Sequence, residues 1–274
     1  MVVRNIVLGP NENRLLLNLA ASGKAVFTIN EAQKILGSTI SSVKHVLMGL
    51  TEKGRLQRIE RGKYLLIPEE AGIERFWAEE PWIIVPHLVN EYYVGFWTAM
   101  NYWGMTEQIP YTVFVVTTRQ KKKTILKFGN QKFQFITFSR KKFFGFVEEK
   151  STKTKFNISS KEKTIVDGLM HPEYCGGITE VTKAMWNVRK EINWNTVLDM
   201  AKQVGINVVL RRLGYLLQIL ELESNISESI KQNLNQYPYQ YLDPSTIKTK
   251  IGYSNDYGLI VNITRDELLG WREY

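Results

Sequence analysis

Apolar positions divide the chain into stretches of different period. Across 11–22, Leu15, Leu16, Leu17, Leu19 and Ala20 crowd a short segment that stops at Gly23, which predicts a helix. Ala25-Val26-Phe27 predicts a short strand. Thr28-Ile29-Asn30-Glu31 has the form of a capping box, in which the threonine hydroxyl accepts from the Glu31 amide while the Glu31 carboxylate reaches back. The helix opened there buries Ala32, Ile35 and Leu36 and ends at Gly37, a residue suited to a left-handed position. A second helix starts near Ser38 or Thr39. Its stripe is Ile40, Val43, Leu47 and Leu50, and Gly54 ends it. Arg55 to Ile59 alternates as a strand does, Arg61-Gly62 turns the chain, and Lys63 to Ile67 returns until Pro68.

Further on the pattern changes. Residues 69–81 are acidic and read as a linker or short helix, and Glu91 to Trp103 as a buried helix. Strands are predicted over 111–117, 124–128, 131–138, 143–147 and 154–158, with Gly129-Asn130 as a hairpin turn. Ser159-Ser160-Lys161-Glu162 is a second candidate capping box, ahead of Ile165, Val166, Leu169 and Met170. Helices follow at about 177–190, 194–204 and 206–222, then strands at 247–253 and 259–263. The fold class expected is α+β: an N-terminal winged helix-turn-helix over 1–70, then a larger mixed domain over 71–274 with a β-rich middle and a helical C-terminal part.

The 274 residues and 44% hydrophobic content suit a folded two-domain chain. No apolar run approaches the ~18 residues needed to span a membrane. The opening Met1-Val2-Val3-Arg4-Asn5 does not begin a signal peptide, because Gly9-Pro10-Asn11-Glu12 breaks the stretch. Cys175 is the single cysteine, so no internal disulfide forms and a reducing compartment, the cytoplasm, is expected. With only His45, His87 and His171 beside it, neither a metal site nor a cofactor is expected.

The net charge of +9 suits an anionic partner, and its distribution narrows the choice. Residues 24–63 hold eight Lys and Arg against three Glu. The next stretch is acidic, and 119–163 then carries fourteen Lys and Arg against three Glu. Two helices joined by a tight turn and followed by a two-stranded wing form the winged helix-turn-helix, whose second helix enters the major groove. Ser41, Ser42, Lys44, His45 and Met48 lie opposite the apolar stripe of that helix. The serines can meet several bases and Lys44 a guanine edge or a phosphate, whereas His45 is either a base reader or a plain surface residue. Arg58, Arg61 and Lys63 in the wing suit backbone phosphates or an adjacent minor groove, and Thr28 at a helix start suits a phosphate. A second basic surface is expected from Lys121, Lys122, Lys123, Lys132, Arg140, Lys141 and Lys142. There Phe133, Phe135, Phe143 and Phe146 would turn inward together and leave the charges on one outer face.

Phe27-Thr28-Ile29-Asn30-Glu31-Ala32 through Arg61-Gly62-Lys63-Tyr64 resembles the N-terminal winged helix of the AbiEi-type antitoxins. Tyr92-Tyr93-Val94-Gly95-Phe96-Trp97-Thr98-Ala99 and Trp103-Gly104-Met105-Thr106-Glu107-Gln108-Ile109-Pro110 are similar to the start of that family's second domain. Ser160 to Asp167, Gly176-Gly177 and Arg211-Arg212-Leu213-Gly214-Tyr215 are similar to its later landmarks. The resemblance implies a regulator of a toxin–antitoxin and phage-abortive-infection system. Such a protein binds double-stranded operator DNA, represses its own operon and counteracts a nucleotidyltransferase toxin, without requiring direct contact. By their residue types alone, the clustered aromatics read as core. Arg211-Arg212 either pairs with helix carboxylates or faces nucleic acid.

No catalytic residues are expected. Glu148-Glu149-Lys150 at a strand end is part of one metal-dependent nuclease core, but that core needs an upstream Asp and the first Asp is Asp167. Phosphate-loop and nucleophile-elbow motifs are absent, and nothing places a third group beside a His87–Cys175 pair. The alternative to the antitoxin reading is a stand-alone regulator, or a protein or RNA interaction module without a toxin partner.

Overall fold

The structure, a computed structural model, describes residues 7–67, 85–128, 131–150, 155–235, 237–246 and 249–273. Two compact units make up the chain: Met1–Leu88 with Lys127–Gln131, and Val89–Leu126 with Lys132–Tyr274. The expected boundary at residue 70, the acidic stretch 69–81 and the Gly129-Asn130 turn lie outside the described residues.

The first unit runs α1 (Pro10–Ala21), β1 (Val26–Thr28), α2 (Ile29–Leu36), α3 (Ile40–Glu52), β2 (Leu56–Glu60), β3 (Lys63–Leu66) and α4 (Val85–Leu88). Strands β2 and β3 form an antiparallel hairpin, and β1 lies antiparallel beside β3 with Phe27 opposite Tyr64. Leu15 and Leu19 of α1, Ala32 and Leu36 of α2, Val43, Leu47 and Leu50 of α3, and Phe27 and Leu56 of the sheet make one core. Ile40 departs from expectation: it is 38% exposed. It opens α3 at the edge of the stripe, where no earlier turn covers it. Gly37 ends α2 in the left-handed region at φ 62, where glycine escapes the Cβ clash.

Local chemistry accounts for the start of α2. Thr28 Oγ1 accepts from the Glu31 N–H at 3.3 Å, and the Glu31 carboxylate accepts from the Thr28 N–H at 2.7 Å. Lys24 donates to the same carboxylate at 2.6 Å. The Lys24 hydrogen bond, and then the Thr28 amide, hold Glu31 down at about 2 against an ordinary 4.5. A depressed carboxylate stabilises the fold above its unfolded value, and that contribution fades as pH falls from about 4.5 toward about 2. Glu31→Gln is therefore expected to cost about 0.5–1 kcal/mol at neutral pH. In urea titrations the gap to the parent should narrow on acidification through that window. A gap that ignores pH would assign the loss to packing instead.

Most of the remaining chain forms a mixed sheet under helices. Its first part contains β4 (Tyr92–Val94), α5 (Phe96–Tyr102), β5 (Thr112–Thr117), β6 (Ile125–Phe128), β7 (Gln131–Thr137), β8 (Phe146–Lys150) and β9 (Lys155–Ser159). The sheet order is β6-β7-β5-β4-β9-β8, with β5/β7 and β4/β9 parallel and β4/β5 and β8/β9 antiparallel. Helices α6 (Lys161–Met170), α7 (Ile178–Asn187), α8 (Trp194–Val204), α9 (Asn207–Leu220) and α10 (Ser224–Asn233) come next. A small sheet then forms from β10 (Gln240–Tyr241), β11 (Gly252–Ser254) and β12 (Leu259–Val261), followed by α11 (Arg265–Leu269). Tyr93, Phe114, Val116 and Ile136 of the large sheet share a core with Ile165, Val166 and Leu169 of α6 and Leu213, Leu216 and Leu217 of α9. No helix among the described residues is long and apolar enough to cross a membrane.

Three expectations are corrected here. Residues 91–103 are not one helix: Tyr92–Val94 is a strand and α5 begins at Phe96. The strand expected at 143–147 begins only at Phe146, because Arg140–Lys142 forms a 3-10 turn before it. The cap of α6 is Ser160, whose hydroxyl accepts from the Lys163 N–H at 3.2 Å. Ser159 is buried instead, its hydroxyl 2.7 Å from that of Thr164.

Candidate nucleic-acid interface

Helix α3 is positioned by both of its ends. At its start, Thr39 Oγ1 accepts from the Ser42 N–H at 3.3 Å. At its end, Lys53 donates to Glu12 of α1 at 2.5 Å, and Glu12 also accepts from the Gly9 N–H at 2.7 Å. Glu12 is nearly buried, so this bond fixes α1 against the end of α3. A Cβ at Gly49 would lie 2.8 Å from Glu12 Oε1, so a side chain there would push the Glu12 carboxylate aside. Val43, Leu47 and Leu50 face inward. Ile40, Ser41, Lys44, His45 and Met48 are exposed, and Ser42 is half-buried on the flank. The side chains of Ser41, Lys44 and His45 have no hydrogen-bond or ion-pair partner among the described residues.

The β2–β3 hairpin forms the wing. Its register slips between Arg58 and Glu60, and Glu60 then pairs with Lys63 across Arg61-Gly62. Gly62 has φ 76, the left-handed conformation that a tight hairpin turn demands. Arg58 and Arg61 are exposed. Arg58 Nε reaches the Glu60 carbonyl at 3.4 Å, and Lys63 Nζ lies 3.8 Å from the Glu60 carboxylate. The turn is tied to α2, since the Gly62 carbonyl accepts from the Ile29 N–H at 2.9 Å.

That tie bears on Thr28. The Ile29 N–H is taken by Gly62, and the Thr28 N–H and hydroxyl are both taken up with Glu31, the hydroxyl donating at 2.9 Å. A carboxylate thus occupies the helix start where a phosphate would sit, so Thr28 is a cap and leaves the contact set. Ile40, expected in the core from its helical spacing, joins the exposed face instead.

The basic block 119–163 does not present one charged face. Lys163 is fully buried beside Asp167. Arg140 pairs with Glu91 at 2.9 Å, Lys155 with Glu148 at 2.6 Å and Lys161 with Glu191 at 2.5 Å. Lys121 lies over the Phe135 ring, 4.4 Å from its centroid. The four phenylalanines divide between two faces. Phe133 and Phe135 stand beside Val113 and Val115, while Phe143 and Phe146 pack against Tyr93 with the helices. Lys132 and Gln134 therefore share the face of buried Ile136 rather than an outer charged one. Lys122, Lys123, Lys127 and Lys141 stay exposed, and Lys142 is half-buried.

Among the described residues, those weighed for catalysis do not converge. Glu148 is bound to Lys155, and Glu149 accepts from the Tyr102 hydroxyl at 3.1 Å. Cys175 is buried, and burial with Asp167 nearby pushes its thiol well up, the opposite of nucleophile activation. The His87 side chain lies outside the described residues. Arg211 and Arg212 are buried and structural: Arg211 donates to the carbonyls of Pro238, Gly258 and Asn235, and Arg212 to those of Leu169 and Tyr241. Burial brings Arg212 down to about 10, which leaves it charged at neutral pH.

No family model matches the chain, and no curated protein matches it. Among solved structures it is similar to the crystal structure of RV2827C protein from Mycobacterium tuberculosis. The TM-score is 0.70 at 12% identity, over 98% of this chain and 96% of that one. At that identity the likeness establishes an α+β fold common to both chains over nearly their whole length, and the fold alone.

Proposed function

We propose that this protein is a non-catalytic transcriptional regulator that binds duplex DNA, with α3 in the major groove and the β2–β3 wing on the phosphate backbone. The observation that carries the reading is the exposed face of α3, where Ser41, Lys44 and His45 stand without partners among the described residues. Side chains that stabilise nothing within their own unit, on the second helix of a helix-turn-helix, are placed to meet base edges. Arg58 and Arg61 at the wing supply fixed positive charge for phosphate. A cytoplasmic location goes with this reading.

Its test is the affinity of the full chain for duplex DNA from upstream of its own gene, measured by fluorescence anisotropy across salt. Up to four phosphate contacts, from Lys44, Arg58, Arg61 and Lys63, give a log–log slope of about −3 to −4. That amounts to a roughly hundredfold loss between about 50 and 200 mM salt. Binding indifferent to salt, or none at all, would reject the reading.

The resemblance to AbiEi-type antitoxins extends the proposal to an autorepressor that counteracts a nucleotidyltransferase toxin. That extension rests on the quoted residues alone. Growth rescue on co-expression with a nucleotidyltransferase encoded beside it supports the extension, and the absence of such a gene removes it.

A further inference from the structure

The exposed face of α3 is not uniformly polar. Ile40 is 38% exposed and Met48 is 54% exposed, one on each side of Lys44 at intervals of four residues. That spacing sets Ile40, Lys44 and Met48 along one side of the helix. Single exposed apolar residues are ordinary on a protein surface. Two of them flanking the lysine on the proposed DNA-reading face are a pattern with a chemical complement. The whole of α3, Ile-Ser-Ser-Val-Lys-His-Val-Leu-Met-Gly-Leu-Thr-Glu, has no Arg, Asn or Gln. It therefore lacks the side chains that form bidentate pairs with adenine (asparagine, glutamine), and its one candidate for a guanine edge is Lys44. In the major groove of unmodified DNA, the apolar group presented by a base is the 5-methyl of thymine.

We infer that Ile40 and Met48 read thymine methyl groups, with Lys44 between them donating to a guanine edge or a phosphate. This rests on the DNA-binding reading above. Eight residues at about 1.5 Å per residue separate the two side chains by about 12 Å. On duplex DNA at about 3.4 Å per step, the contacted thymines lie three to four base pairs apart, on either strand. The charge around the pair favours this occupant: Lys44 lies between the two residues, and the acid on the exposed side of α3, Glu52, is at its far end.

The experiment uses the full chain to select a bound sequence from a random duplex pool. The selected duplex is then remade with deoxyuridine at every thymine. Deoxyuridine keeps the base-pairing edge and O4 and loses only the methyl. Affinity is expected to fall about fourfold for each methyl contacted, or about fifteenfold for two. The Ile40→Ala, Met48→Ala double variant should bind the thymine and uracil duplexes alike. Both residues are exposed, so circular dichroism should show its fold unchanged. Selective, salt-sensitive binding that is blind to deoxyuridine overturns the thymine assignment and leaves the DNA reading standing. A uracil penalty that persists in the double variant traces to DNA shape and also overturns the assignment. Failure to enrich any duplex overturns the DNA reading and this inference with it.

Discussion

Asp167→Ala is expected to lower the melting temperature by roughly 10 °C. Lys163, Asp167 and Tyr93 are all fully buried. Lys163 and Asp167 face each other one turn apart on α6 and form an ion pair. The Tyr93 hydroxyl donates to Asp167 at 2.9 Å and accepts from Lys163 at 3.2 Å. The Lys163 ammonium also lies 5.0 Å from the centre of the Phe144 ring and 5.4 Å from that of Phe138. Burial pushes the Asp167 carboxyl above its ordinary range even with Lys163 beside it. Removing the carboxylate leaves an ammonium among aromatic rings with one neutral hydroxyl as partner. Stranding a buried charge in this way costs about 3–5 kcal/mol, a large share of the ~5–15 kcal/mol that holds a domain folded.

The compensating variant separates that account from a packing effect. Exchanging both charges for apolar groups, Lys163→Met with Asp167→Leu, removes the stranded charge and should recover much of the loss. Thermal melts followed by circular dichroism read both. A single variant that melts within about 2 °C of the parent would mean that the pair holds almost nothing. A double variant as unstable as the single would shift the blame to side-chain shape.

What the sequence discloses depends on how local the cause is. The start of α2 was legible because Thr28 and Glu31 satisfy each other within four residues, and Gly37 and Gly62 mark backbone that needs positive φ. Alternation and helical spacing then place Val43, Leu47 and Leu50 inward without knowledge of the rest of the fold. Tyr92–Val94 was not legible as a strand. A central strand buried on both faces shows no alternation, and aromatic residues beside Gly95 read equally as a buried helix. Phe96 adds a local exception, since it takes φ 56 and is held there among Phe114, Phe138 and Tyr174. In α10 only Ile226 and Ile230, four residues apart in a polar run, mark the buried side, and the two-residue β10 is too short to show a period.

The candidate site divides along the same line. Ser41, Lys44 and His45 were identified from their position opposite a stripe, which is a local property. Thr28 leaves the contact set through its own bonds to Glu31, a local cause, whereas Arg140 of the basic block is paired by Glu91 from a distant part of the chain and Lys163 is drawn into the core. A sum of charges along a segment cannot see pairing across a fold. A lysine counted toward a basic surface proved to be one of the largest side chains fully inside the core.

Substitutions on α3 and on the wing are expected to damage DNA binding in different ways. Lys44→Ala, alone or with Ser41→Ala, removes contacts assigned to base edges. The ratio of affinities for a selected and a random duplex should fall about tenfold, within the roughly 1–3 kcal/mol that a good base contact supplies. Arg58→Ala with Arg61→Ala removes phosphate contacts, which carry no sequence information. Selected and random duplexes should weaken by the same factor, and the salt dependence should become shallower by about 2 in log–log slope. None of these side chains supports the core: Ser41, Lys44, Arg58 and Arg61 are all exposed. Melting temperatures should therefore stay near the parent, which keeps a binding defect distinct from unfolding. Equal losses on both duplexes for the α3 variants, with discrimination lost in the wing variants instead, would place the hairpin rather than the helix in the groove. The fold of the first unit would survive that result, but the assignment of base reading to α3 would not.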